Sequence, residues 1–202
     1  MANDSWTHKL ARACVRPLVG TAVTPNHLTT LRMLSGVAAC STFASGDVGT
    51  YGWGAALWVI SAFLDRADGE LARIGNLSSP GGHLFDYYAD VGVNALFFAA
   101  IGMGLRDSSL GVWAILMGLV GGISIVIASV VAERFERQDE AGRKPFSGVA
   151  GFDFDDVLYL LGPAVWLGAA YPLLVASSIG IPVFALISWW RVRKLATSAA
   201  GD

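Results

Sequence analysis

The chain has 202 residues, of which 54% are hydrophobic and only 15% charged, and its mean hydropathy is +0.54. A soluble domain carries about 25% charged residues, so a soluble fold is excluded, as are disorder, coiled coil and collagen. The balance of 14 Lys+Arg against 16 Asp+Glu leaves a net charge of −2 and speaks against a nucleic-acid partner, and Cys14 and Cys40 form neither a disulfide framework nor a zinc site.

The first element is a short amphipathic helix within residues 1–22. Trp6, Leu10, Ala13 and Cys14 share one side of a helical wheel, and Lys9, Arg12 and Arg16 share another. That is the pattern of a helix lying on a membrane surface with its basic side towards anionic headgroups. Its cations interrupt any apolar core, so it does not read as a cleavable signal peptide. Six apolar runs follow, near 28–46, 51–72, 84–105, 109–132, 155–175 and 177–193. Each approaches the ~20 residues needed to cross a bilayer. The expected architecture is therefore all-α and polytopic: one membrane domain over 1–202, with a six-helix bundle over 24–195 behind the surface helix. Six crossings with a cytoplasmic N-terminus leave only Arg106 of the 14 Lys+Arg on the outer side, as the positive-inside rule favours. Both termini then face the cytoplasm across the inner cell membrane. Gly118 and Gly122 form a G-x-x-x-G in the fourth run, which suits either packing inside the bundle or a dimer face.

The chemistry lies between the second and third runs. Asp65 and Asp68 are three apart and share a helix face; Asp86 and Asp90 are four apart and share another. Ala72 and Gly82 lie beside these pairs with little or no side chain. A charge at the centre of a membrane helix costs about 2.5–3.5 kcal/mol on insertion scales, so such residues face the bundle interior or a wet cavity. Four converging carboxylates need a positive partner. Arg66 and Arg73 are candidates, but an oxygen-only donor set better suits Mg²⁺, Mn²⁺ or Ca²⁺. Two such cations are suited to phosphoryl transfer. A proton- or cation-coupled transporter is the alternative for intramembrane acids. It would scatter ionisable groups along several spans, whereas these cluster at one end of two.

The stretch Asp65 to Asp90 reads D-x-x-D-G-x-x-A-R, eight residues, then G-x-x-x-D-x-x-x-D. It resembles, position for position, the signature of the CDP-alcohol phosphotransferases, through Asp65, Asp68, Gly69, Ala72, Arg73, Gly82, Asp86 and Asp90. Thr24-Pro25-Asn26-His27-Leu28-Thr29 with Arg32 is similar to the segment that opens the first span in many members. The resemblance implies metal-dependent transfer of a substituted phosphate from a CDP-linked donor, usually CDP-diacylglycerol, to an alcohol, with release of CMP. It also implies that Asp65, Asp68 and Asp86, with Asp90 near them, ligate two divalent cations, Mg²⁺ or Mn²⁺, and that Asp90 is the general base. Asn26, Gly69, Ala72, Arg73 and Gly82, with Asp65 and Asp68, would surround the donor, and a homodimer is expected. The acceptor is left open. A polyol phosphate such as glycerol 3-phosphate or inositol phosphate would want cations, and Arg134, Arg137, Arg143 and Lys144 lie in the expected cytoplasmic loop; they equally satisfy the positive-inside rule. Asp153, Asp155 and Asp156 fit the first turn of the fifth run or an acceptor contact. His83 fits a surface or turn histidine or an acceptor contact, and Tyr87 and Tyr88 fit a pocket wall or an interfacial anchor.

Overall fold

The computed structural model describes residues 6–138 and 157–199, and these are helical with short connections. α1 (Trp6–Val15) is followed by α2 (Pro25–Ser45), α3 (Tyr51–Ile74), α4 (Pro80–Gly104) and α5 (Val112–Gln138). Among the later described residues come α6 (Leu158–Ala164), a wider π-type turn over Val165–Ala169, and α7 (Ala170–Ala199). α4, most of α5 and the stretch Leu158–Trp190 are long and apolar enough to cross a membrane. α2 and α3 match them in length, and α2, α3 and the start of α4 carry the charged residues of the site.

Local chemistry sets the helix ends. Pro25 opens α2 at a position where its missing N–H costs nothing, while the Thr24 N–H donates to His27 Nδ1. Gly46 closes it with a left-handed φ of 76°. α4 starts on Ser79, whose Oγ accepts from the Gly82 N–H at 3.0 Å, with Pro80 next. The turn between α3 and α4 is fixed by Asn76, a non-glycine residue at φ 54°. Its Leu77 N–H reaches back to Ala72 O at 2.9 Å, the six-to-one bond of a Schellman ending.

The packing core is aromatic. Phe43, Trp58 and Phe97 are fully or almost fully buried, with Phe97 touching Phe43 at 5.7 Å and Trp58 at 4.4 Å between centroids. Small residues bring the helices together. A Cβ on Gly102 would stand 2.5 Å from Ala114 O, and one on Gly118 would stand 2.6 Å from Phe98 O. Gly122 meets Ala95 in the same way. The G-x-x-x-G of α5 is thus spent on α4 within one chain and does not form a dimer face.

The exterior inverts the soluble pattern. Trp53, Trp113, Leu167 and Trp190 are at least 60% exposed, as expected where lipid covers the flanks. Trp166 lies over Gly52, Gly162 packs on Trp58 and Ala55, and Trp58 Nε1 donates to Leu158 O at 2.7 Å. α6 therefore runs antiparallel to the first half of α3. The expected boundary between the fifth and sixth runs, near 176, falls inside α7. The helical path breaks earlier, at Gly168, where φ is 87°. Only glycine adopts that conformation cheaply, and hydropathy alone cannot see it because the flanking residues are apolar on both sides.

The amphipathic helix expected at the N-terminal end is present as α1 and has three sides. Thr7, Ala11 and Val15 are buried against the bundle, Trp6, Leu10 and Cys14 are exposed, and Lys9, with Arg16 just past the end of the helix, is exposed on the remaining side.

Candidate active site

Three helices build the site. α3 supplies Asp65 and Asp68, α4 supplies Asp86 and Asp90, and α2 supplies Asn26, Thr29 and Arg32. α2 comes close enough because Gly36 has no side chain; a Cβ there would lie 2.5 Å from Val93 Cγ1 on α4. Ser61 Oγ on α3 donates to Arg32 O at 3.0 Å and fixes the register of α2 against α3.

Asp65, Asp68 and Asp86 each bring one carboxylate oxygen within 4.8 Å of the others. Like charges at that spacing repel by about 3 kcal/mol per pair at an effective dielectric near 20. The protein's own answer is Arg32, which is 3% exposed. Its Nη1 lies 2.7 Å from Asp65 Oδ1 and 3.3 Å from Asp86 Oδ1, and its Nη2 donates to Asp90 Oδ1. Asn94 Nδ2 donates to the same Asp90 oxygen at 2.7 Å. Asp68, 2% exposed, accepts from Thr29 Oγ1 at 2.7 Å. One guanidinium thus pairs with three of the four carboxylates, and the arrangement has capacity for further positive charge. Carboxylate oxygens converging at this distance are a hard donor set and fit a divalent cation such as Mg²⁺ or Mn²⁺.

Of the counter-cations named from the sequence, Arg73 is engaged elsewhere, whereas Arg66 bears on Asp65 through its charge and also bonds outside the aspartate cluster. Arg66 Nη1 bonds His8 Nε2 at 3.0 Å, and Arg73 Nη2 donates to Glu70 Oε1 at 2.6 Å. They belong to a second polar cluster centred on Glu70, which is fully buried on the opposite side of α3 from the aspartates. Arg12 Nε donates to Glu70 Oε2 and His8 Nδ1 to Glu70 Oε1, each at 2.8 Å. Arginine can only donate, so His8 Nε2 accepts from Arg66 and the imidazole proton sits on Nδ1. This cluster fastens α1 to the helix that carries Asp65 and Asp68.

The other expected site residues fall as follows. Asn26 Oδ1 lies beside Gly82, 3.3 Å from where a Cβ would stand, so α2 and the start of α4 share one wall. Gly69 is open, with Arg73 Nη2 at 4.0 Å from such a Cβ. Ala72 is half-buried and accepts the Leu77 N–H of the turn through its carbonyl. His83 and Tyr88 are exposed, and Tyr87 is half-buried with its ring 5.5 Å from that of Tyr88. Arg134 is exposed near the end of α5, and Arg137 lies on the last turn of that helix. Arg143, Lys144, Asp153, Asp155 and Asp156 lie outside the described residues.

Sequence reasoning gave no separate role to Arg32, Asn94, Glu70 or His8. A cation between Leu31 and Met33 in an apolar run was the available signal, because a buried arginine implies carboxylate partners. For Asn94 and His8 no comparable signal exists.

A family model described as CDP-alcohol phosphatidyltransferase matches residues 22–192. No curated protein matches the chain.

Proposed function

Because the chain belongs to the CDP-alcohol phosphatidyltransferase family, we propose that the aspartates of α3 and α4 are the centre at which it transfers a phosphatidyl group from CDP-diacylglycerol to a polar alcohol. The observation that carries this reading is the convergence of Asp65, Asp68 and Asp86 within 4.8 Å on the two halves of the signature.

Asp65, Asp68 and Asp86, with Asp90 beside them, would hold two divalent cations. Bound there, the cations neutralise the diphosphate and the charge that moves onto CMP. The protein does the rest by position. Asn26, Gly69, Ala72 and Gly82 leave room for the CDP portion to approach the helices. Asp90 takes the proton of the acceptor hydroxyl; the oxygen attacks the β-phosphorus, its bond to the bridging oxygen breaks, and CMP departs. Arg32 and Asn94 hold the Asp90 carboxylate so that its second oxygen faces the acceptor. Arg73, whose Nη2 lies 4.0 Å from where a Cβ on Gly69 would stand, would reach the donor's phosphates past Gly69 by leaving Glu70. Arg134, with Arg137, Arg143 and Lys144, would receive an acceptor that carries its own phosphate, such as glycerol 3-phosphate or inositol phosphate.

The site sits at the ends of α3 and α4 that adjoin α1, which suits the cytoplasmic edge of the inner membrane. Acyl chains stay in the bilayer while the alcohol enters from water. The seven residues of α6 are too few to cross a bilayer alone, so a count of six crossings would need residues before Leu158 to complete the fifth; a homodimer would form on faces other than the G-x-x-x-G of α5. Transport coupled to these acids is disfavoured. Among the described residues the buried charged groups are Arg32, Arg66, Asp68 and Glu70, all on α2 and α3, with none at several depths of the other helices.

Calorimetric titration of the purified protein with CDP tests the site directly. Binding should require Mg²⁺ or Mn²⁺, vanish with EDTA, and weaken at least ~10-fold in Asp65→Asn and Asp86→Asn, the loss of one charge-assisted contact. Cation-independent binding of CDP would contradict the assignment.

A further inference from the structure

Away from the aspartates, α1, the chain that follows it and the last residue of α3 enclose a cleft of about 690 Å³. Its walls are Lys9, Arg12, Ala13, Arg16, Val19 and Ile74. Among the described residues that line it, half are cationic and none is acidic. Among the described residues neither Lys9 nor Arg16 has a carboxylate partner, whereas Arg12 is held in place through its Nε by buried Glu70 at 2.8 Å. The cleft therefore contains one guanidinium fixed from behind and two cations on longer leashes, over an apolar lining of Ala13, Val19 and Ile74.

We propose that this cleft holds the phosphate of one anionic phospholipid of the surrounding membrane, a lipid that is not consumed in the reaction. Two observations favour a lipid over a free phosphate. The adjoining side of α1 exposes Trp6 at 54% and Leu10 at 48%, so that side enters the acyl layer and the cleft lies at headgroup level. The apolar lining would cover glycerol and acyl carbons beside the phosphate. Arginine with lysine around an oxyanion gives directed donors and mobile charge together. A lipid bound there would also bear on the catalytic helix, because Arg12 is bonded to Glu70, two residues from Asp68.

The test is native mass spectrometry of the full-length protein in a non-ionic detergent, with equal amounts of phosphatidylglycerol and phosphatidylcholine. Wild type should retain one phosphatidylglycerol in preference to phosphatidylcholine. The double variant Lys9→Gln/Arg16→Gln leaves the Arg12–Glu70 pair intact, and should bind about 30-fold more weakly, since each basic residue near an anionic surface contributes about fivefold. Ala13→Trp keeps every charge but fills the cleft, and should lose the lipid as well. Both alter exposed positions, so unchanged melting temperatures should accompany the loss. Equal retention in all three proteins would overturn the proposal. So would weakening in the double variant with full retention in Ala13→Trp, which would mark a diffuse charge effect. Displacement of the lipid by millimolar inorganic phosphate would identify a free-phosphate site and overturn the lipid assignment.

Discussion

Arg32 spreads one guanidinium over three carboxylates, and its planar fork is what makes that geometry possible. Arg32→Leu should destabilise the protein by about 3 kcal/mol, because it leaves a buried acid cluster without its counter-charge. In a chain of this length that is a fall of roughly 6–12 °C in melting temperature. Added Mg²⁺ should restore part of the loss in Arg32→Leu by supplying the missing charge; thermal melts with Mg²⁺ and with EDTA measure both effects. Asp90 makes a different prediction. Asp90→Asn should remove turnover while leaving CDP binding within about threefold, since Asp65, Asp68 and Asp86 remain; loss of cation binding would show that its main role is ligation. The four aspartates were legible in the sequence because i,i+3 and i,i+4 spacings fix a shared face on one helix. Arg32's partners were not, because they depend on how α2 slides against α3 and α4. That register is set by Gly36 and Ser61, which carry no pattern of their own.

Two elements hold the site from behind. The first is α1, fastened through Glu70 to His8 and Arg12. Glu70→Gln removes the charge that three cationic or hydrogen-bonding side chains share. It should cost about 3 kcal/mol and make the Lys9–Cys14 segment open to trypsin before the bundle unfolds; unchanged cleavage would mean that α1 is held by its apolar side alone. The second is the α4–α5 pair. Gly102→Val would drive a side chain into Ala114 O and Gly118 Cα, at a cost of about 1–3 kcal/mol, visible as a lower melting temperature. The amphipathic character of α1 was readable from its wheel, down to the basic side. Its docking was not, because Glu70 is one residue from Gly69 in a stretch already explained by the signature. The break at Gly168 was unreadable for a plainer reason: Val165 to Ala170 is uniformly apolar, and a left-handed glycine leaves no mark on hydropathy.

For the whole molecule, the distribution of polarity explains why chemistry sits where it does. Lipid-facing flanks carry exposed Trp, Leu and Ile, an aromatic core ties α2, α3, α4 and α6 together, and the buried charges collect towards one end. The end away from the aspartates is closed by Arg106, whose Nη1 donates to Ala44 O at 3.0 Å, and by Tyr51 against Gly104. A bundle so arranged presents a polar centre to water and an apolar flank to acyl chains, as the proposed transfer between a lipid-linked donor and a soluble alcohol would require. The measurement that tests this most directly is CMP release by the purified protein with CDP-diacylglycerol, Mg²⁺ or Mn²⁺ and a panel of glycerol 3-phosphate, inositol 1-phosphate, inositol, serine and choline. CMP should form with one acceptor, stop on addition of EDTA, and be absent in Asp90→Asn. CMP release that persists without a divalent cation or in Asp90→Asn would contradict the role given to the aspartate centre.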